Sequence, residues 1–158
     1  MSFAAVITWF ITICFGLLLL GIWLVEYDRD GRRGGASRLP VPVISGHALL
    51  AVVGVPIWLV YIVTDERKLA WMATFILVGV ALLGLTMIIR WIGVYRAYRA
   101  VAEPAAVTVT SAFGAMPAPA PASPPERNFP VAVVVCHGVF AVATVILVLL
   151  TTLGVFSS

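Results

Sequence analysis

Charge is scarce in this 158-residue chain: ten basic and seven acidic side chains make up 11% of it. There is one lysine (Lys68), two cysteines (Cys14 and Cys136) and two histidines (His47 and His137). Each shortage excludes a class of chemistry. Two isolated cysteines with no CxxC partner rule out a disulfide framework or zinc knuckle, so both are expected to be small packing residues. No nucleophile–base pairing and no glycine-rich phosphate loop appears. Catalysis by this chain on its own is therefore not expected, and nothing points to a nucleic-acid partner.

What the chain has instead is apolar side chain, 62% of all residues, with a mean hydropathy of +1.10. No soluble core of this size absorbs so much, and lipid is the natural solvent. Four uncharged runs cover residues 3–25, 41–63, 69–89 and 131–156. Each reaches the roughly 20 residues a helix needs to cross about 30 Å of hydrocarbon. A β-barrel would show alternation rather than solid runs. The expected fold class is an all-α integral membrane protein with four transmembrane helices. The first run lacks a basic flank and a small-x-small cleavage pattern, so it reads as a retained helix rather than a secretory signal.

The expected organisation is a two-helix hairpin over residues 1–63, a third helix with an interfacial extension over 64–99, a linker over 100–129 and a fourth helix over 130–158. Six of the ten prolines fall between Ala100 and Asn128, alternating with alanine, which reads as a disordered tether. Its PxxP, Pro121 to Pro124, is a chance product of that alternation. Locally, Pro56 is expected to kink the second helix, and Thr64 or Asp65 to cap the third. Trp91, Tyr95 and Tyr98 are expected to form an interfacial belt, with Arg90 reaching the headgroups.

One stretch is written twice. LPVPVISGHALLAVVGVPIWLVYIV from Leu39 is echoed 90 residues later by FPVAVVVCHGVFAVATVILVLLTTL from Phe129. Both place a proline (Pro40, Pro130), a histidine seven residues on (His47, His137), an alanine (Ala51, Ala141) and a small residue (Gly54, Thr144) at matching offsets. The odd-numbered runs share Gly16-x4-Gly21 and Gly79-x4-Gly84. A tandem duplication of a helical hairpin accounts for this, with the halves related by an axis along the membrane normal.

Arginines dominate the first and third loops, and only Arg67 and Lys68 lie opposite. The positive-inside rule then puts loops 26–40 and 96–129 in the cytoplasm and both termini outside. Nine arginines against one lysine fit a GC-rich bacterial genome, and hence a bacterial inner membrane.

The two histidines sit on co-directional helices at equal depth, on a face of small residues that turns toward another helix or a flat ligand. Three functions are compatible. One is an accessory or structural subunit of a larger membrane complex, for example a respiratory one. The second is a haem b protein for electron transfer or anchoring. Its axial ligands would be His47 and His137, with Gly46 and Gly138 admitting the macrocycle edge and Arg38 and Arg127 meeting its propionates. That arrangement is similar, in geometry alone, to membrane four-helix cytochromes b. The third is a small proton-coupled or lipid-handling transporter, against which stands the lack of any embedded Asp, Glu, Lys or Arg.

Overall fold

The structure is a computed structural model that describes residues 1–31, 37–105 and 124–155. It consists of α1 (Ser2–Gly31), α2 (Val41–Thr64), α3 (Arg67–Ala105), a short 3-10 helix (Pro125–Asn128) and α4 (Val131–Thr152), with no strand among the described residues. Each α-helix contains a segment long and apolar enough to cross a membrane: Ser2–Tyr27, Val41–Thr64, Arg67–Ala100 and Val131–Thr152. The chain is thus an all-helical protein with four membrane-spanning-capable helices, in keeping with a lipid environment. The glycine-rich part of the first loop (residues 32–36) and the Pro/Ala-rich stretch with its PxxP (residues 106–123) lie outside the described residues.

The two matching prolines start two helices in the same way. Pro40 and Pro130 are extended N-caps, φ −64° and −63°. The carbonyl of each accepts from the amides three and four residues on, while the amide that proline lacks is one a helix start leaves unpaired in any case. Helix α2 runs on through Pro56. It ends at Asp65, which adopts a left-handed φ of 54° and donates its N–H to the Tyr61 carbonyl. Asp65 therefore closes α2 instead of capping α3; a short polar residue is among the few besides glycine that tolerate this conformation.

Two boundaries differ from the hydropathy reading. Helix α4 stops at Thr152, where Gly154 takes a φ of 73°. Helix α3 continues to Ala105, and a 3-10 helix spans Pro125–Asn128, both within the stretch 100–129 read from composition as a tether.

The helices form an antiparallel bundle. α1 packs along α4 and α2 along α3, the two pairs meet more loosely, and α1/α3 and α2/α4 are the diagonals. Buried positions recur with the 90-residue offset: Ile44, Gly54 and Trp58 in α2, then Val134, Thr144 and Val148 in α4. The outward faces are apolar, with Leu49, Leu82 and Val139 each more than half exposed, as suits a surface solvated by acyl chains.

The end of the bundle holding the α2–α3 turn has a dense core of Ala5, Trp9, Trp58, Ala70, Ala73, Leu77 and Val148. Small residues set that density. A Cβ on Gly54 would lie 2.8 Å from Cζ2 of Trp9 and 3.3 Å from Ile76 Cγ2. A rigid indole cannot yield cheaply, so Gly54→Val is expected to destabilise the bundle by roughly 2 kcal/mol. Gly93→Ala, with nothing within 4 Å of its Cβ position, should leave the melting temperature in detergent unchanged; equal melting of the two variants would refute the packing argument.

Candidate functional site: two histidines across an apolar cavity

His47 and His137 are each the seventh residue of their helices, on the diagonal pair α2 and α4. Equal distance from equivalent prolines brings them to one level, and their rings face each other with centroids 6.2 Å apart and planes inclined at 57°. Both imidazoles point into the bundle, as the shared small-residue face required.

Each ring is held from the side by a neighbouring helix. Nδ1 of His47 lies 2.9 Å from the Val80 carbonyl of α3, and Nδ1 of His137 lies 2.9 Å from the Thr12 carbonyl of α1. A carbonyl only accepts, so both bonds require Nδ1 to carry the proton. In the neutral ring that leaves the Nε2 lone pair bare, and neither Nε2 has a hydrogen-bond partner among the described residues. The Thr144 hydroxyl donates to the Phe140 carbonyl and sits 3.5 Å from the Thr12 hydroxyl.

Behind each ring stands a glycine. Cβ positions on Gly84 and Gly16 would lie 3.0 Å from Cε1 of His47 and 3.1 Å from Cε1 of His137. The Gly-x4-Gly match misaligned these residues. Gly21 faces open space and Gly79 comes no nearer than 3.9 Å to Leu50 Cδ1; the structure pairs Gly16 with Gly84, an offset of 68 residues. The same offset relates Ala5 to Ala73, Thr12 to Val80, Trp23 to Trp91 and Tyr27 to Tyr95. In both helices the tryptophan stacks on its tyrosine, with centroids 4.7 and 5.4 Å apart. The legible signal is G-x6-W-x3-Y, present at Gly16-Trp23-Tyr27 and at Gly84-Trp91-Tyr95.

The histidines border a cavity of about 510 Å³ that touches all four helices, within the roughly 300–1,000 Å³ usual for small-molecule and cofactor sites. On α1 it extends from Trp9 to Trp23, about 21 Å at about 1.5 Å per residue, with Gly16 near the middle. Its described lining is apolar apart from the two imidazoles and Thr12 and Thr144, with no Asp, Glu, Lys or Arg. Ala51, Ala141 and Gly138 line it, whereas Gly46 turns toward Leu83, 3.7 Å from a built Cβ.

The loop end of the cavity is covered by residues 37–39 and 124–129, with Leu39 and Phe129 as its inner surface. The clamp is Glu126, which is 0% exposed although it belongs to the segment read as a disordered tether. Its Oε1 accepts from the Arg38 amide at 2.7 Å and its Oε2 from the Ser37 hydroxyl at 3.1 Å. Trp23 Nε1 donates to Ser37 Oγ, and Trp91 Nε1 to the Glu126 carbonyl, each at 3.1 Å. Trp91 is consequently buried under the cover, not part of a lipid-facing belt; of the three aromatics expected there, Tyr98 is half exposed.

Arg38 and Arg127 flank this cover. Arg38 is exposed and its carbonyl accepts from Arg90 Nη1 at 3.2 Å. The Arg127 guanidinium lies over the Tyr98 ring, 5.6 Å from its centroid. Neither side chain lines the cavity. Cys14 is exposed on the outer surface and Cys136 is half-buried; both are free thiols. Among the described residues no cluster of three or more His, Cys, Asp or Glu is arranged to hold a bare metal ion.

Set against protein-family models, curated proteins and solved structures, the chain matches none of them.

Proposed function

We propose that this multi-pass protein is a membrane electron carrier, or the haem-bearing anchor of a larger oxidoreductase, with one b-type haem held between His47 and His137. The observation that carries the reading is the pair of bare Nε2 atoms on opposite walls of one apolar cavity. The two imidazoles, with ring centroids 6.2 Å apart, are the groups that would hold the iron of such a haem. The Nδ1–H bonds to helix carbonyls fix the tautomer that ligation needs. The cavity walls are apolar, and Gly138 leaves open space beside His137.

A bound haem would supply a one-electron couple whose potential the axial pair and the dry surroundings tune. Acidic edge groups would belong at the cover, where Arg38, Arg90 and Arg127 gather; the positive-inside bias of those arginines supports a cytoplasmic location for that end. The anchor role is the form that the accessory-subunit reading takes in this proposal. The matched inner faces and the 68- and 90-residue offsets support descent from a duplicated hairpin.

The test is spectroscopic. The full chain, produced in membranes with haem supplied and purified in detergent, should contain one protohaem per chain by pyridine haemochrome assay. It should give a sharp low-spin α-band in the reduced-minus-oxidised spectrum. A preparation that stays colourless after incubation with haemin overturns the proposal.

A further inference from the structure

We infer that Gly16 and Gly84 are positioning residues, which select the histidine tautomer and aim Nε2 of His137 and His47 across the cavity. The inference deepens the haem reading, which supplies the ligand, yet the geometry behind it stands without any ligand.

In an α-helix the carbonyl of residue i is already bonded to the amide of residue i+4, and only its second lone pair is free to a neighbour. A helical Cα–Cβ bond leans toward the N-terminus. A side chain at i+4 therefore leans back over the turn carrying that carbonyl. The imidazoles use the carbonyls of Val80 and Thr12, and residues 84 and 16 stand four positions on. In both helices that position is glycine. A Cβ would lie 3.0 Å from Cε1 and 3.5 Å from Nδ1 of His47, and 3.1 Å and 3.4 Å from the same atoms of His137. Removing the Cβ is what opens the second lone pair to a ring on the facing helix.

The same device appears on both diagonal arms, built from different helix pairs. The Nδ1-to-carbonyl distance is 2.9 Å in each. With the bond made, each ring has one protonation pattern and one orientation. With the ring pushed back by a methyl group, Nδ1–H loses its acceptor and the proton is free to move to Nε2, the nitrogen that must stay bare.

The experiment uses the full chain in bicelles with ¹⁵N-labelled histidine, without added haem. Wild type should show both rings as Nδ1–H tautomers with unprotonated Nε2. Gly84→Ala should alter the His47 signal and spare His137; Gly16→Ala should do the reverse. The unaltered histidine reports that each variant has folded. Gly21→Ala and Gly79→Ala, which have no close neighbour, should alter neither. In haem-loaded protein each cradle variant should weaken haem affinity about 10–100-fold, the usual effect of losing a ligand's hydrogen-bond partner. Native tautomers in both Gly16→Ala and Gly84→Ala would overturn the inference. Tautomers that respond to the glycines in a protein that never takes up haem would sink the haem reading and leave the cradle standing.

Discussion

Replacement of either His47 or His137 alone by alanine is expected to abolish the low-spin spectrum completely, not halve it. One iron between two imidazoles is a single site. With the proposed haem held by both imidazoles, loss of one ligand would remove a large part of the affinity. The two variants should be alike, because the rings occupy matching positions in their helices and make matching carbonyl bonds. His47→Gly and His137→Gly give the sharper form. Free imidazole added at millimolar concentration should enter the vacated space beside Gly84 or Gly16 and restore the low-spin bands. A single-histidine variant that keeps a wild-type spectrum would show that the pair does not ligate iron together. The measurement is the same reduced-minus-oxidised spectrum, with haem content determined on the same sample.

The next largest expected effect is on stability and lies at the cover of the cavity. Glu126→Ala should cost roughly 3 kcal/mol, the order expected when a buried carboxylate leaves and strands the donors it satisfied. For a chain of this length that corresponds to a fall in melting temperature of roughly 6–12 °C, followed through tryptophan fluorescence in detergent. The stranded donor is the Arg38 amide, while the Ser37 hydroxyl loses its carboxylate acceptor and keeps only the Leu39 carbonyl at 3.3 Å. Glu126→Gln should cost about half as much, because its amide oxygen still accepts from Arg38 while its NH₂ accepts nothing from Ser37. Glu66→Ala, on an exposed residue of the α2–α3 turn, is the neutral control. Equal melting of Glu126→Ala and Glu66→Ala would mean that the cover is not held by this carboxylate.

Much of the site was legible in the linear pattern. Proline-to-histidine spacing, repeated in two helices that run the same way, is enough to place two rings at one level, because helical rise is constant. The shared face with Ala51 and Gly54, or Ala141 and Thr144, predicts that the rings turn inward, since small residues let helices approach. The second layer was not legible. The Val80 and Thr12 carbonyls carry no side-chain signature, and the glycines in front of them were matched at the wrong register. G-x6-W-x3-Y would have given the right one. Glu126 was lost among prolines and alanines because composition describes a segment's average tendency to order, whereas one residue whose carboxylate accepts from two donors and whose carbonyl accepts from a third can fix the end of that segment.

The amino-acid sequence alone determined that four helices would seek lipid, where they would begin, and that two imidazoles would be level. Run length, proline position and helical rise are local properties that no later contact alters. Only the tertiary structure decided which helices are neighbours and which diagonal, which carbonyl each ring would find, and that a charged residue of the expected tether would be fully enclosed. Those outcomes depend on the register between helices, which is set by the packing of Trp9 against Gly54 and of the glycines against the histidines. A register is a relation between segments, and no single segment contains it.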